Sequence, residues 1–145
     1  MNTRLLKKTR ARLNEKTRGE FLFFLRRVVG SVSPGVEYSQ GWHMEAIAEY
    51  LSACERGQVR RLIINLPPRM LKSTIISVAW PAWLLGHKPT QRLMVASYAQ
   101  GLSLKHSTDC RVVVASDWYQ RLFPATRLAS LTTSWQRRPE RMQAR

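Results

Sequence analysis

A chain of 145 residues with 24 Lys and Arg against 9 Asp and Glu, net charge +15, is one domain or a piece of a larger one. That charge calls for a polyanionic partner, nucleic acid before an acidic membrane surface, unless an acidic remainder or subunit balances it. An apolar fraction of 44% excludes global disorder, no run approaches the roughly 20 apolar residues of a membrane span, and Cys54 and Cys110 lack zinc or disulfide-framework spacing.

Residues 1–19 carry Arg4, Lys7, Lys8, Arg10, Arg12, Lys16 and Arg18 with a faint stripe of Leu5, Leu6 and Leu13. They read as a basic N-terminal arm or frayed helix, either a solvated face or a grip on a DNA backbone. A helix over 20–29 follows, with Phe21, Phe24, Leu25 and Val28 on its core stripe. Ser31, Ser33, Pro34 and Gly35 mark a loop. The segment from Trp42 to Arg56 predicts a second helix, burying Trp42, Ile47, Tyr50, Leu51 and Cys54 and ended by Gly57.

The stretch 60–82 is the centre of the chain. Leu62, Ile63, Ile64 and Leu66 read as a buried strand of a parallel sheet, stopped by Pro67-Pro68. Lys72-Ser73-Thr74 then opens a helix with Leu71, Ile75, Ile76, Val78 and Ala79 facing the core. Strand, tight loop, Lys-Ser and helix is the layout of a phosphate-binding loop, in which backbone N–H groups and the helix N-terminus meet phosphate oxygens. The glycines of G-x-x-x-x-G-K-[ST] belong at 66 and 71, where this chain has Leu66 and Leu71. Without them, a plain strand–turn–helix with Lys72 solvated is the competing reading.

Pro81 and Gly86-His87-Lys88-Pro89 end that helix. Residues 92–97, RLMVAS, predict a second strand, followed by Tyr98, a helix over 100–115 and a short turn over 117–123 stopped by Pro124. Strand–helix–strand–helix order predicts α/β architecture: an incomplete three-layer nucleotide-binding domain with a short parallel sheet and N-terminal helices. Residues 129–145, rich in Ser, Thr and Arg without periodicity, read as a disordered basic tail.

Trp42-His43, RRLIINLPPRMLKS over 60–73, PAWLLG over 81–86, ASYAQGLSLKHS over 96–107, Arg111 and LFP over 122–124 together resemble the N-terminal ATPase half of bacteriophage terminase large subunits. The resemblance covers residues 20–128, and that family writes its loop as PPR-x-x-K-S. It implies an ATP-binding part of the motor that packages viral DNA into procapsids, of phage or prophage origin, in the bacterial cytoplasm. It further implies ATP and magnesium as cofactors, double-stranded DNA, portal protein and small terminase subunit as partners, and no membrane.

Carried over, the resemblance makes residues 68–74 (Pro68, Arg69, Met70, Leu71, Lys72, Ser73 and Thr74) the nucleotide-binding loop. Lys72 would meet the phosphates, Ser73 magnesium, and Arg69 the γ-phosphate as its charge-stabilising arginine. Trp42 and His43 would recognise adenine, or Trp42 simply packs at a helix N-terminus. Ser97-Tyr98 would face the ligand, or Tyr98 is a buried tyrosine. No apolar strand ending in Asp-Glu follows: Val112–Asp117 leads into Trp118 and falls on a helix, and the family's nuclease carboxylates have no counterpart. The expected product is therefore a truncated or frameshifted fragment that binds ATP without useful hydrolysis. The alternative is a basic DNA-binding remnant with no nucleotide role.

Overall fold

The computed structural model describes residues 3–35 and 37–128, with side chains from Lys8 onward, so the expected tail 129–145 lies outside the described residues. Helix α1 spans Thr3–Gly19 and α2 Phe21–Val32. On α2 the buried set Phe21, Phe24, Leu25, Val28 and Val29 follows i, i+3, i+4, i+7, i+8, an apolar stripe that must find a core. Helix α3, Trp42–Glu55, buries Met44, Ile47, Ala48 and Leu51 on the same spacing. Gly57 takes φ 75° just beyond it, the left-handed position that commonly closes a helix.

A helical run then begins at Lys72 and winds as a π-helix over Thr74–Ala79 before tightening into α4, Trp80–His87. The wide turn has a local cause. Pro81 cannot donate a backbone bond, and its ring would strike the Ser77 carbonyl of a regular α turn. The Trp80 N–H instead reaches five residues back to the Ile75 carbonyl. Helices α5, Gln100–Ala115, and α6, Asp117–Leu122, complete the described elements. Ser116 caps α6 by accepting from the Tyr119 N–H.

Helix α2 is the hub, packing against α1, α3, the π-helical stretch and α5. Its Phe24 lies edge-on to Trp83, Trp118, Tyr119 and Phe123. Gly86 admits the Phe123 ring so closely that a Cβ there would lie 2.6 Å from it. The His87 ring joins α1 to α4, its nitrogens each 3.0 Å from the carbonyls of Trp83 and Arg18. Among the described residues no helix is long and apolar enough to cross a membrane.

Tyr119 is fully buried and donates to the Ala82 carbonyl at 2.7 Å. Burial pushes its phenol up to about 12, against an ordinary value near 10. A raised folded-state value means stability is fully present below pH ~10 and is lost as pH rises through ~12, by about 2–3 kcal/mol. Tyr119→Phe is expected to remove that segment of the pH–stability curve and to cost about 1 kcal/mol at neutral pH for the lost hydrogen bond. Urea titrations from pH 8 to 12 on both proteins check it.

The α/β expectation is overturned: the fold is all-helical, and no described residue belongs to a strand. Residues 62–66 and 92–97 belong to no helix either, but an apolar run of alternating exposure does not by itself make a sheet. A strand needs a hydrogen-bonded neighbour, and no backbone–backbone bond joins either segment to a described residue. Leu62, Ile64 and Leu66 lie against the helical core, while Ile63 between them is 87% exposed. The side-chain period is that of a strand; the ladder is missing among the described residues.

Candidate phosphate-binding loop

Leu66 to Thr74 line a concavity of about 440 Å³. Two backbone positions shape it. Arg69 has φ 68° and Leu71 φ 55°, the two non-glycine residues in the left-handed region among those described. Such a conformation costs an L-residue about 1–2 kcal/mol and persists only where surroundings impose it. Met70 between them lies outside that region. Alternating right- and left-handed residues turn successive N–H groups toward one side, the backbone form of an anion-binding nest.

Leu71 stands where the standard pattern has glycine. The backbone has kept the glycine-type conformation without the glycine. The Leu71 side chain packs against the core in return, whereas Arg69 is exposed, so Arg69→Gly is expected to stabilise the fold by up to about 1 kcal/mol after the added unfolded-state freedom of glycine is subtracted. Leu71→Val is expected to destabilise it by a similar amount, because a β-branched side chain tolerates positive φ poorly. Thermal midpoints of both variants test the pair.

Lys72 is half-buried, and its Nζ donates weakly to the Leu66 carbonyl at 3.4 Å, folding the side chain back across the loop. Arg69 is exposed. No carboxylate lines the concavity, so these two cations set its potential. Ser73 is exposed and fits one protein ligand of a magnesium ion, which otherwise takes its oxygens from phosphate and water. Among the described residues no group of three or more His, Cys, Asp or Glu side chains could hold a metal by itself. The loop can gather phosphate oxygens, but it presents no base to activate water.

The other expected residues do not line this concavity. Trp42 is 80% exposed at the start of α3, so helix-terminal packing does not account for it. The His43 ring is set edge-on to it, with Gly41 so close that a Cβ would lie 2.7 Å away. His43 Nε2 and the Tyr38 hydroxyl are both buried without a hydrogen-bond partner among the described residues. Burial also pushes the Tyr38 phenol up. Neither Trp42 nor His43 lines the loop concavity. Tyr98 is 96% exposed, which rules out the buried-tyrosine reading. Val112–Ala115 belong to α5, so no catalytic strand precedes Asp117.

The positive φ at Arg69 leaves no trace in the residue order, because arginine carries no conformational signature. The buried His43 nitrogen was equally hidden, since it depends on the chain path through Gly41. A scan against protein-family profiles, a search of curated proteins and a search of solved structures each returned no match.

Proposed function

We propose that residues 66–74 are the phosphate-binding loop of an ATP-binding segment, of the kind found in phage terminase large subunits. The observation that carries this reading is the left-handed backbone at Arg69 and Leu71 immediately before Lys72. Strain of that kind in an exposed loop has a use if the converging N–H groups meet an anion. Lys72 then leaves its weak contact with Leu66 for the β- and γ-phosphates, Arg69 approaches from solvent, and Ser73 holds magnesium. Trp42 supplies an open aromatic face for the base, and the unpartnered His43 nitrogen a polar contact. Because no carboxylate lines the loop, binding proceeds without turnover above background.

Equilibrium titrations with ATP, inorganic triphosphate and AMP, each with magnesium, test this. Triphosphate is expected to compete with ATP and AMP to bind far more weakly. AMP binding as tightly as ATP, or no ATP binding at all, refutes a phosphate-led site. Steady phosphate release dependent on Lys72 refutes the non-hydrolytic reading.

A second reading has its own observation. Lys8, Arg12 and Lys16 share one exposed side of α1, and Arg10 and Arg18 are exposed elsewhere around it, a cationic surface suited to a DNA backbone. Reversing Lys8, Arg10 and Arg12 to Glu is expected to lower duplex affinity about tenfold or more and to flatten its salt dependence by about three counterions. Filter binding on unrelated duplexes across a salt series measures it. Unchanged affinity removes α1 from the interface.

A further inference from the structure

Residues 92–97 belong to no helix or strand, alternate in exposure beside a cavity, and make no backbone–backbone hydrogen bond to any described residue. The exposed N–H and C=O groups of such a segment are solvated and stay open to pairing with another chain. Leu93 and Val95 are 38% and 42% exposed and line a cavity of about 460 Å³ against Pro81, Leu85 and Val114, while Met94 between them is 95% exposed. His106 also lines the cavity, is only 7% exposed, and receives no hydrogen bond among the described residues; the imidazole bonds present belong to His87. Arg111 and Arg127, both exposed, complete the positive character, and no carboxylate lines the cavity.

We propose that this groove receives an extended segment of a partner protein, apolar at alternate positions and acidic at its flanks. Its backbone pairs with that of residues 92–97, and one apolar side chain enters the cavity. Strand addition to an exposed edge draws affinity from main-chain bonds and specificity from pockets for alternate side chains. The unpaired backbone supplies the first and the cavity the second. The arginines choose the charge. A second copy of this chain is the poorer occupant: its own apolar segments are led by Arg60-Arg61 and Arg92, and each copy carries +15. Self-pairing would set like charges together. This proposal is independent of the phosphate loop.

Three labelled probe peptides test it by fluorescence anisotropy on the full chain: an alternating Val-Thr peptide with Asp-Glu flanks, the same core with Lys flanks, and the acidic peptide N-methylated at alternate amides. The acidic peptide is expected to saturate, weaken with salt, and bind about tenfold or more tighter than the other two, the equivalent of one or two hydrogen bonds. Hydrogen exchange is expected to slow at residues 92–98. Met94→Pro, which suits extended backbone but lacks an N–H, and the double variant Arg111→Glu, Arg127→Glu are each expected to reduce binding with the thermal midpoint unchanged. Equal binding of the Lys-flanked or N-methylated peptide, no saturation by the acidic one, or sedimentation as a dimer with residues 92–98 protected overturns it.

Discussion

Phe24→Ala is expected to remove about 3–5 kcal/mol of stability, the range for deleting a buried aromatic side chain. Phe24 is fully buried, and its ring meets Trp83 at 5.3 Å, Trp118 at 5.5 Å, and Tyr119 and Phe123 at 6.1 Å, all edge-on. Those partners come from α4, from α6 and from the turn after α6. The side chain therefore ties the N-terminal helices to the C-terminal ones. Edge-to-face pairs contribute about 0.5–1.5 kcal/mol each beyond their burial, and rigid surrounding rings cannot collapse into the space left behind. Against a total of about 5–15 kcal/mol, the loss takes a large share of what holds the fold. The neighbouring Phe23→Ala is the control. Phe23 is half-buried with Lys16 Nζ 4.9 Å above its ring, an exposed cation–π contact of about 0.5–1 kcal/mol. Chemical denaturation followed by circular dichroism separates the two.

The helical half of the fold was legible because periodicity reports burial directly. Phe21, Phe24, Leu25 and Val28 lie on one stripe in any α-helix, and α2 buries all four. Trp42 and Tyr50 are misplaced by the same reading: α3 turns its face so that Met44, Ile47, Ala48 and Leu51 point inward, leaving Trp42 and Tyr50 exposed and Cys54 half-buried. The expected sheet shows the opposite limit. Composition and alternation predict strands at 62–66 and 92–97, since β-branched side chains and a period of two are local properties, and the structure forms neither. Pairing is not local. A ladder depends on a neighbour that no pattern within the segment can name.

The loop was illegible for a related reason. A glycine in the sequence announces a left-handed backbone because glycine adopts it cheaply. When Leu71 takes φ 55° under the constraint of Pro67-Pro68 on one side and a buried helix on the other, nothing in its identity records the fact. Only the order of Lys72, Ser73 and Thr74 remained visible. The loop therefore reads as a weak pattern and folds into a concave one.

That concavity sets the other large effect. Lys72→Ala is expected to weaken ATP binding about 10–100-fold, the equivalent of losing one charge-assisted hydrogen bond of about 1.5–3 kcal/mol. The folded state gives little reason for the variant to fail on stability. The Lys72 ammonium makes one long contact, 3.4 Å to the Leu66 carbonyl, and a substitution with so little to lose shifts stability by about 0.5 kcal/mol or less. Affinity and stability should therefore separate. Lys72→Arg is expected not to rescue, because a planar fork cannot replace a compact ammonium on a strained loop of this curvature. Arg69→Ala is expected to cost less than Lys72→Ala, since Arg69 starts exposed and must give up solvent and rotamer freedom to reach the ligand. Calorimetric titration with ATP and magnesium, paired with thermal midpoints of each variant, resolves both comparisons. If Lys72→Ala binds ATP as the parent does, phosphates are not held at this loop, and the cations of α1 become the principal anion-binding surface of the chain.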